Sequence, residues 1–190
     1  MGIIVQKFGG TSVGSAERLH TVADIIQKTY ASQPVIAVVS AMSGTTKAEG
    51  TTSLLLAAAD EARTGAPFQK ELSLLESLHV RSVEQAISGA VLRGEVLAFV
   101  RDEIEKLQRF LDAIRVIREL SARSQDVVMG LGERLSARVL TAVLRDRGLP
   151  SRFVDLAEVV PENEKEVDPA FFRRLQARLG ELCRPKDGHL

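Results

Sequence analysis

The sequence predicts an α/β fold with parallel strands and a large helical share. Two short apolar runs, GIIVQKF (residues 2–8) and VIAVVSA (35–41), flank a helical pattern. The second run is continuously apolar, as expected of a strand buried in a parallel sheet. From residue 68 to about 147 the chain then reads as almost unbroken helix.

In chain order, residues 3–7 make the first strand. Ser15 can cap the helix that follows, where Leu19, Val22, Ile25 and Ile26 recur at helical spacing. Pro34 ends that pattern and residues 35–40 make the second strand, which closes a βαβ unit with a right-handed crossover. MSGTTKAEGTTS (42–53) is a polar loop, and LLLAAADEAR (54–63) begins a helix that stops at Gly65-Ala66-Pro67. Breaks in the long helical region are expected at Gly89 and Gly94. The stretch AFVRDEIEKLQRFLDAIRVIREL (98–120) sets apolar positions at helical spacing among charges. Residues 152–155, after Gly148-Leu149-Pro150, are expected to form a third strand parallel to the first two. PENEKEVD (161–168) is a charged surface loop, and Asp168 caps a last helix. Residues 1–183 are expected to form one unit, with 184–190 as a loose polar tail.

Composition excludes several function classes. Net charge is zero, so neither nucleic acid nor an anionic membrane is the expected partner. Tryptophan is absent and Tyr30 is the one tyrosine, which leaves no base-stacking surface. Cys183 is the one cysteine, and His20, His79 and His189 lie far apart, so no metal site is expected. No secretory signal or bilayer-length apolar run is found, and the expected location is the cytoplasm.

Three segments carry candidate chemistry. Lys7, Gly9, Gly10, Thr11 and Ser12 join a strand to a helix. Such a turn suits an anion, because glycines let backbone N–H groups face it and the helix N-terminus adds partial positive charge. A plain strand-to-helix turn is the alternative, since the spacing matches neither a Walker A motif nor a dinucleotide fingerprint. The second loop, with Ser40, Ser43, Thr45 and Thr46, would reach the same edge of a parallel sheet; its distal part, 49–53, reads equally as a solvated linker. In MGLGERLSARVL (129–140), Glu133 stands among Gly130, Gly132, Ser136 and Ala137, where a ligand or another backbone can approach closely. A surface charge is the alternative for Glu133.

Taken together, these segments resemble the aspartokinases of the amino acid kinase family. KFGGTSVG resembles their opening signature, VVSAMSGTTKAEGTTSLLL the second loop of the fungal branch, and GERLSARVL the glutamate-bearing helix. The resemblance implies an αβα sandwich and transfer of the ATP γ-phosphate, with Mg²⁺, to the side-chain carboxylate of L-aspartate. It implies that Lys7 is the catalytic, phosphate-contacting lysine and that Gly9 and Gly10 supply backbone donors. Thr11, Ser12, Ser40 and Thr46 are candidate substrate contacts, and Glu133 matches the acid that pairs with the α-ammonium group. The family's nucleotide-binding half would follow beyond Cys183, so a truncated, weakly active kinase part is expected. It would work as a homo-oligomer or with a partner supplying the absent lobe. The competing expectations are a half-domain that binds an amino acid or a protein, and an enzyme repurposed in specialised metabolism.

Overall fold

β1 (Ile4–Phe8) and β2 (Val35–Val39) pair in parallel, with Ile4 opposite Val35 and Phe8 opposite Val39. This is the βαβ unit expected from the sequence. The computed structural model describes residues 2–44, 46, 48–159 and 168–182, which fall into two units, Met1–Leu149 and Pro150–Leu190. In the first unit, α1 (Gly10–Val13) and α2 (Ala16–Tyr30) follow β1, and β2 leads into α3 (Thr51–Thr64), α4 (Gln69–Ala86), α5 (Ala90–Ile117) and α6 (Ala122–Asp146). The second unit holds α7 (Leu156–Val159) and α8 (Pro169–Leu182).

Helix boundaries follow local chemistry. Ser15 Oγ accepts the Arg18 N–H at 3.3 Å, which starts α2 as expected. Gly65, at φ 84°, ends α3 in the left-handed conformation that glycine adopts without strain. Asp146, at the end of α6, caps α5 from a distance. Its carboxylate accepts the Ser88 N–H and hydroxyl at 2.8 and 2.7 Å and the Gly89 N–H at 2.9 Å. The Ser88 bonds hold this carboxyl below the usual carboxylate range.

Three expectations are corrected. Residues 152–155 are not a strand: they run as irregular backbone, and Asp155 turns the chain into α7 by accepting the Ala157 N–H at 2.9 Å. Gly94 lies inside α5 without breaking it, because packing on both sides outweighs a propensity cost of about 1 kcal/mol. The expected break at Gly89 does occur, between α4 and α5, and a further one after Ile117 uses Arg118 at φ 57°. Finally, α3 begins at Thr51, so the distal part of the second loop is helix rather than linker. Asp168 does cap α8, accepting the Phe171 N–H at 2.6 Å. Most of the charged loop, Cys183 and the tail lie outside the described residues.

The core is mainly helical. Leu55, Phe68, Leu75, Leu111 and Leu135, from α3 through α6, are all essentially inaccessible. The small sheet is covered on one face by α2, where the Gln6 amide donates to the Thr29 hydroxyl at 2.7 Å. Residues alternate along a strand, so Val5, Lys7, Ile36 and Val38 share the other face. That face is open, with Val5 64 % and Val38 41 % exposed. A two-stranded sheet also leaves an unpaired edge on each strand. The chain alone is therefore expected to self-associate at micromolar concentration. A monodisperse monomer in light scattering would contradict this.

His79 gives a second prediction. It is fully buried in α4, with Nδ1 2.8 Å from the Leu75 carbonyl, and burial pushes the imidazole down to about 4. The unfolded chain therefore takes up a proton near pH 6.5 that the folded chain refuses until about pH 4. The folded state should lose about 3 kcal/mol as pH falls through this window. Glu61 works in the opposite sense: its hydrogen bond with Glu71 raises its carboxyl, so its contribution is lost as pH rises. Comparing denaturant midpoints of the chain and of His79→Leu across pH 4–7 isolates the histidine, and the variant should show the flatter profile. Parallel profiles would refute this account.

Candidate functional site

β1 ends at Phe8, and Gly9 and Gly10 turn the chain into the single turn of α1, where the Ser12 N–H donates to the Gly9 carbonyl at 2.9 Å. β2 ends beside it. The Ser40 N–H donates to the Phe8 carbonyl at 3.0 Å and the Ser43 N–H to the Gly10 carbonyl at 3.1 Å. The two loops are thus stitched together at the carboxyl edge of the sheet, as the sequence reading requires. Gly10 is needed there because a Cβ would stand 2.5 Å from the Ala41 carbonyl oxygen. Beside Gly9 the space is open.

Glu133 reaches this edge from the middle of α6. Its Oε1 accepts the Ala41 N–H at 3.3 Å, joining residues 92 positions apart. Ala41 lies just past the end of β2, where a backbone donor no longer has a ladder partner. A carboxylate has acceptor capacity beyond this one bond, and the Glu133 residue is exposed. The approach is made possible by Gly132, where a Cβ would lie 2.7 Å from the Ala41 side chain and 2.9 Å from that of Thr51.

The other candidates are placed as follows. Lys7 is exposed on the open face of the sheet, opposite Val38. Thr11 is exposed and Ser12 half-buried, and both line an open groove of about 350 Å³ with Phe8, Arg18, Thr21, Val22 and Ile25. Arg18 closes one side of this groove by donating to the Thr11 carbonyl at 2.9 Å. Lys7, Ser40 and Glu133 do not line it. Thr46 is exposed, and its N–H is turned to Glu49 of its own loop at 3.1 Å. The structure therefore gathers Gly10, Ser40, Ala41 and Glu133, and leaves Thr46 on the loop surface.

Thr51 was passed over by the sequence reading. It is fully buried at the start of α3, its N–H donates to the Met42 carbonyl at 3.1 Å, and its hydroxyl has no hydrogen-bond partner among the described residues. Ser43 Oγ is in the same position. The available signal was Gly50-Thr51-Thr52-Ser53 directly before an apolar helical run, a helix-start composition. Among the described residues no group of three His, Cys, Asp or Glu side chains could hold a metal ion. No helix among them is long and apolar enough to cross a membrane.

The close approach at Gly132 is directly testable. Gly132→Ala must push α6 away from Ala41 and Thr51 by several tenths of an ångström or more. The expected cost is about 1–3 kcal/mol, typical of overpacking. Thermal unfolding that matches the parent chain would show that α6 is not held this tightly.

Comparison with known proteins gives a consistent picture. The chain matches the Amino acid kinase family over residues 2–181. It is 39 % identical to an aspartokinase of Candida albicans over 183 residues, covering 94 % of this chain and 33 % of that protein. It is 36 % identical to an aspartokinase of Saccharomyces cerevisiae over 190 residues, covering 96 % of this chain and 36 % of that protein. The chain thus spans about a third of the length of these relatives. Among solved structures it superposes on E. coli aspartokinase III in complex with aspartate and ADP, with a TM-score of 0.75 and 25 % identity. That match covers 95 % of this chain and 39 % of the other. A second structure of the E. coli enzyme, with lysine and aspartate, gives a TM-score of 0.77 at 24 % identity, covering 95 % and 38 %. With two joined glycine- and serine-bearing loops at the edge of a parallel sheet and a family match over nearly its whole length, this chain belongs to the amino acid kinase family.

Proposed function

We propose that this chain is the amino-acid-binding part of an aspartate kinase, which transfers the ATP γ-phosphate to the side-chain carboxylate of L-aspartate. The observation that carries the reading is Glu133, brought to the joined ends of β1 and β2. An amino acid needs an anion for its α-ammonium group, and Glu133 offers one beside the polar loop ends. The names of the relatives support aspartate as the amino acid and ATP as the phosphoryl donor.

In this reading Lys7, at the end of β1, neutralises charge on the transferring phosphoryl group. The Gly9 and Gly10 backbone contributes donors to phosphate oxygens, with the open space beside Gly9 as the approach. Ser40 and Glu133 hold the amino acid, and Thr11 and Ser12 flank it. Thr46 would have to swing in from the loop surface to take part. No general base is required, because an aspartate carboxylate is already ionised at neutral pH. The rate would come from alignment and charge neutralisation. Mg²⁺ bound with ATP would supply further neutralisation, but the described residues do not provide a ligand set for it, and none is assigned.

Calorimetric titration of the chain with L-aspartate tests the proposal. Binding is expected, and Glu133→Ala should weaken it roughly 10- to 100-fold, the loss of a charge-assisted bond of about 1.5–3 kcal/mol. Affinity unchanged by Glu133→Ala would remove Glu133 from the site, and no binding at millimolar aspartate would count against the whole reading.

A further inference from the structure

Gly132 and Glu133 face the end of β2, and Arg134 faces a different element. Gly132 packs on Ala41 and Thr51, Glu133 accepts from Ala41, and Arg134 turns away to α5. There its guanidinium pairs with Glu103 at 2.9 Å. Glu103 lies in the core-facing row of α5 with Val96, Val100, Ile104, Leu107 and Leu111, and its side chain is only 4 % exposed. Its other oxygen accepts from Lys106 Nζ at 2.9 Å. A carboxylate there carries a desolvation cost that a leucine would not, so packing alone does not account for it. What the ion pair adds is direction: a guanidinium held by a buried carboxylate fixes the rotation of α6 about its axis.

We propose that Glu103, acting through Arg134, is a positioning residue that holds Glu133 against the end of β2. The idea deepens the amino-acid-binding reading and rests on it for its functional meaning. The geometry is demanding. A side-chain tip lies about 5–6 Å from a helix axis, so a 20° rotation moves it by about 2 Å. That is enough to break the 3.3 Å contact between Glu133 and the Ala41 N–H. Gly132 fixes how closely α6 approaches but, lacking a side chain, exerts little torque. Arg134 is the adjacent lever, and Glu103 is its anchor.

Amide hydrogen exchange of the 190-residue chain, read residue by residue by NMR, reports this directly. Glu133→Ala sets the exchange rate of the Ala41 amide when its acceptor is gone. In Glu103→Gln, and in Arg134→Met, which keeps the apolar stem, the Ala41 amide should exchange faster by about tenfold or more. Val139 and Leu140, buried further along α6, should keep their protection. L-Aspartate affinity should fall in parallel with Ala41 protection. Ala41 protected as in the parent chain would overturn the proposal, as would uniform loss of protection along α6, which signals general destabilisation. If the parent chain does not bind aspartate, the functional reading fails, while the Ala41 exchange still decides whether Glu103 positions Glu133. Should one variant not fold, the other gives the same readout.

Discussion

The contact between α6 and the end of β2 is the constraint on which the site depends. Residues 41 and 133 meet only because position 132 has no side chain and because a carboxylate satisfies a strand-end N–H. Any larger residue at 132 would hold the helix off Ala41 and Thr51. The same contact explains why a glutamate here is more than a surface charge. It is bonded to backbone on one side while the residue remains exposed on the other, which suits binding from solution better than a fully buried carboxylate would.

The sheet is too small to organise this edge by itself. A two-stranded parallel pair is marginal in isolation, so its geometry is imposed by what packs on it. α2 covers one face, and Arg147, just past α6, ties α2 to the helical layer through the His20 carbonyl at 2.9 Å, Gln27 at 3.1 Å and Asp24. α6 therefore acts at two places. Near its middle it meets β2, and at its C-terminus Asp146 starts α5 while Arg147 fixes α2. The strand face that carries Val5 and Val38 beside Lys7 is open.

What was legible in the sequence follows the range of the interactions. The βαβ unit, the Ser15 and Asp168 caps and the stop at Gly65 depend on residues a few positions apart, and all were readable. The meeting of the two loops followed from parallel pairing alone. Residues 152–155 misled because Phe153 and Val154 have strand propensity, a weak local preference that tertiary context overrides, and the backbone there is irregular. Thr51 was missed because its burial comes from Ala41 and Gly132, residues brought there by the fold. Thr46 is a candidate through the family resemblance, and where its side chain stands relative to the strand ends depends on the loop's own conformation, which no local pattern specifies.

The contrast between Glu133 and Thr46 bears on how such a site can work. A binding group is useful in proportion to how little of its own freedom is lost when ligand arrives. Glu133 is carried by a 25-residue helix held through Arg134, Asp146 and Arg147, so little freedom remains to be lost. Thr46 sits on the surface of a polar loop with its N–H turned to Glu49 of that loop, and ordering its side chain over a ligand would cost conformational entropy. In the proposed function the helix would therefore supply affinity for the feature that all amino acids share, the charged ammonium group. In that reading the electrostatic contact thus sits on a rigid element rather than on a loop.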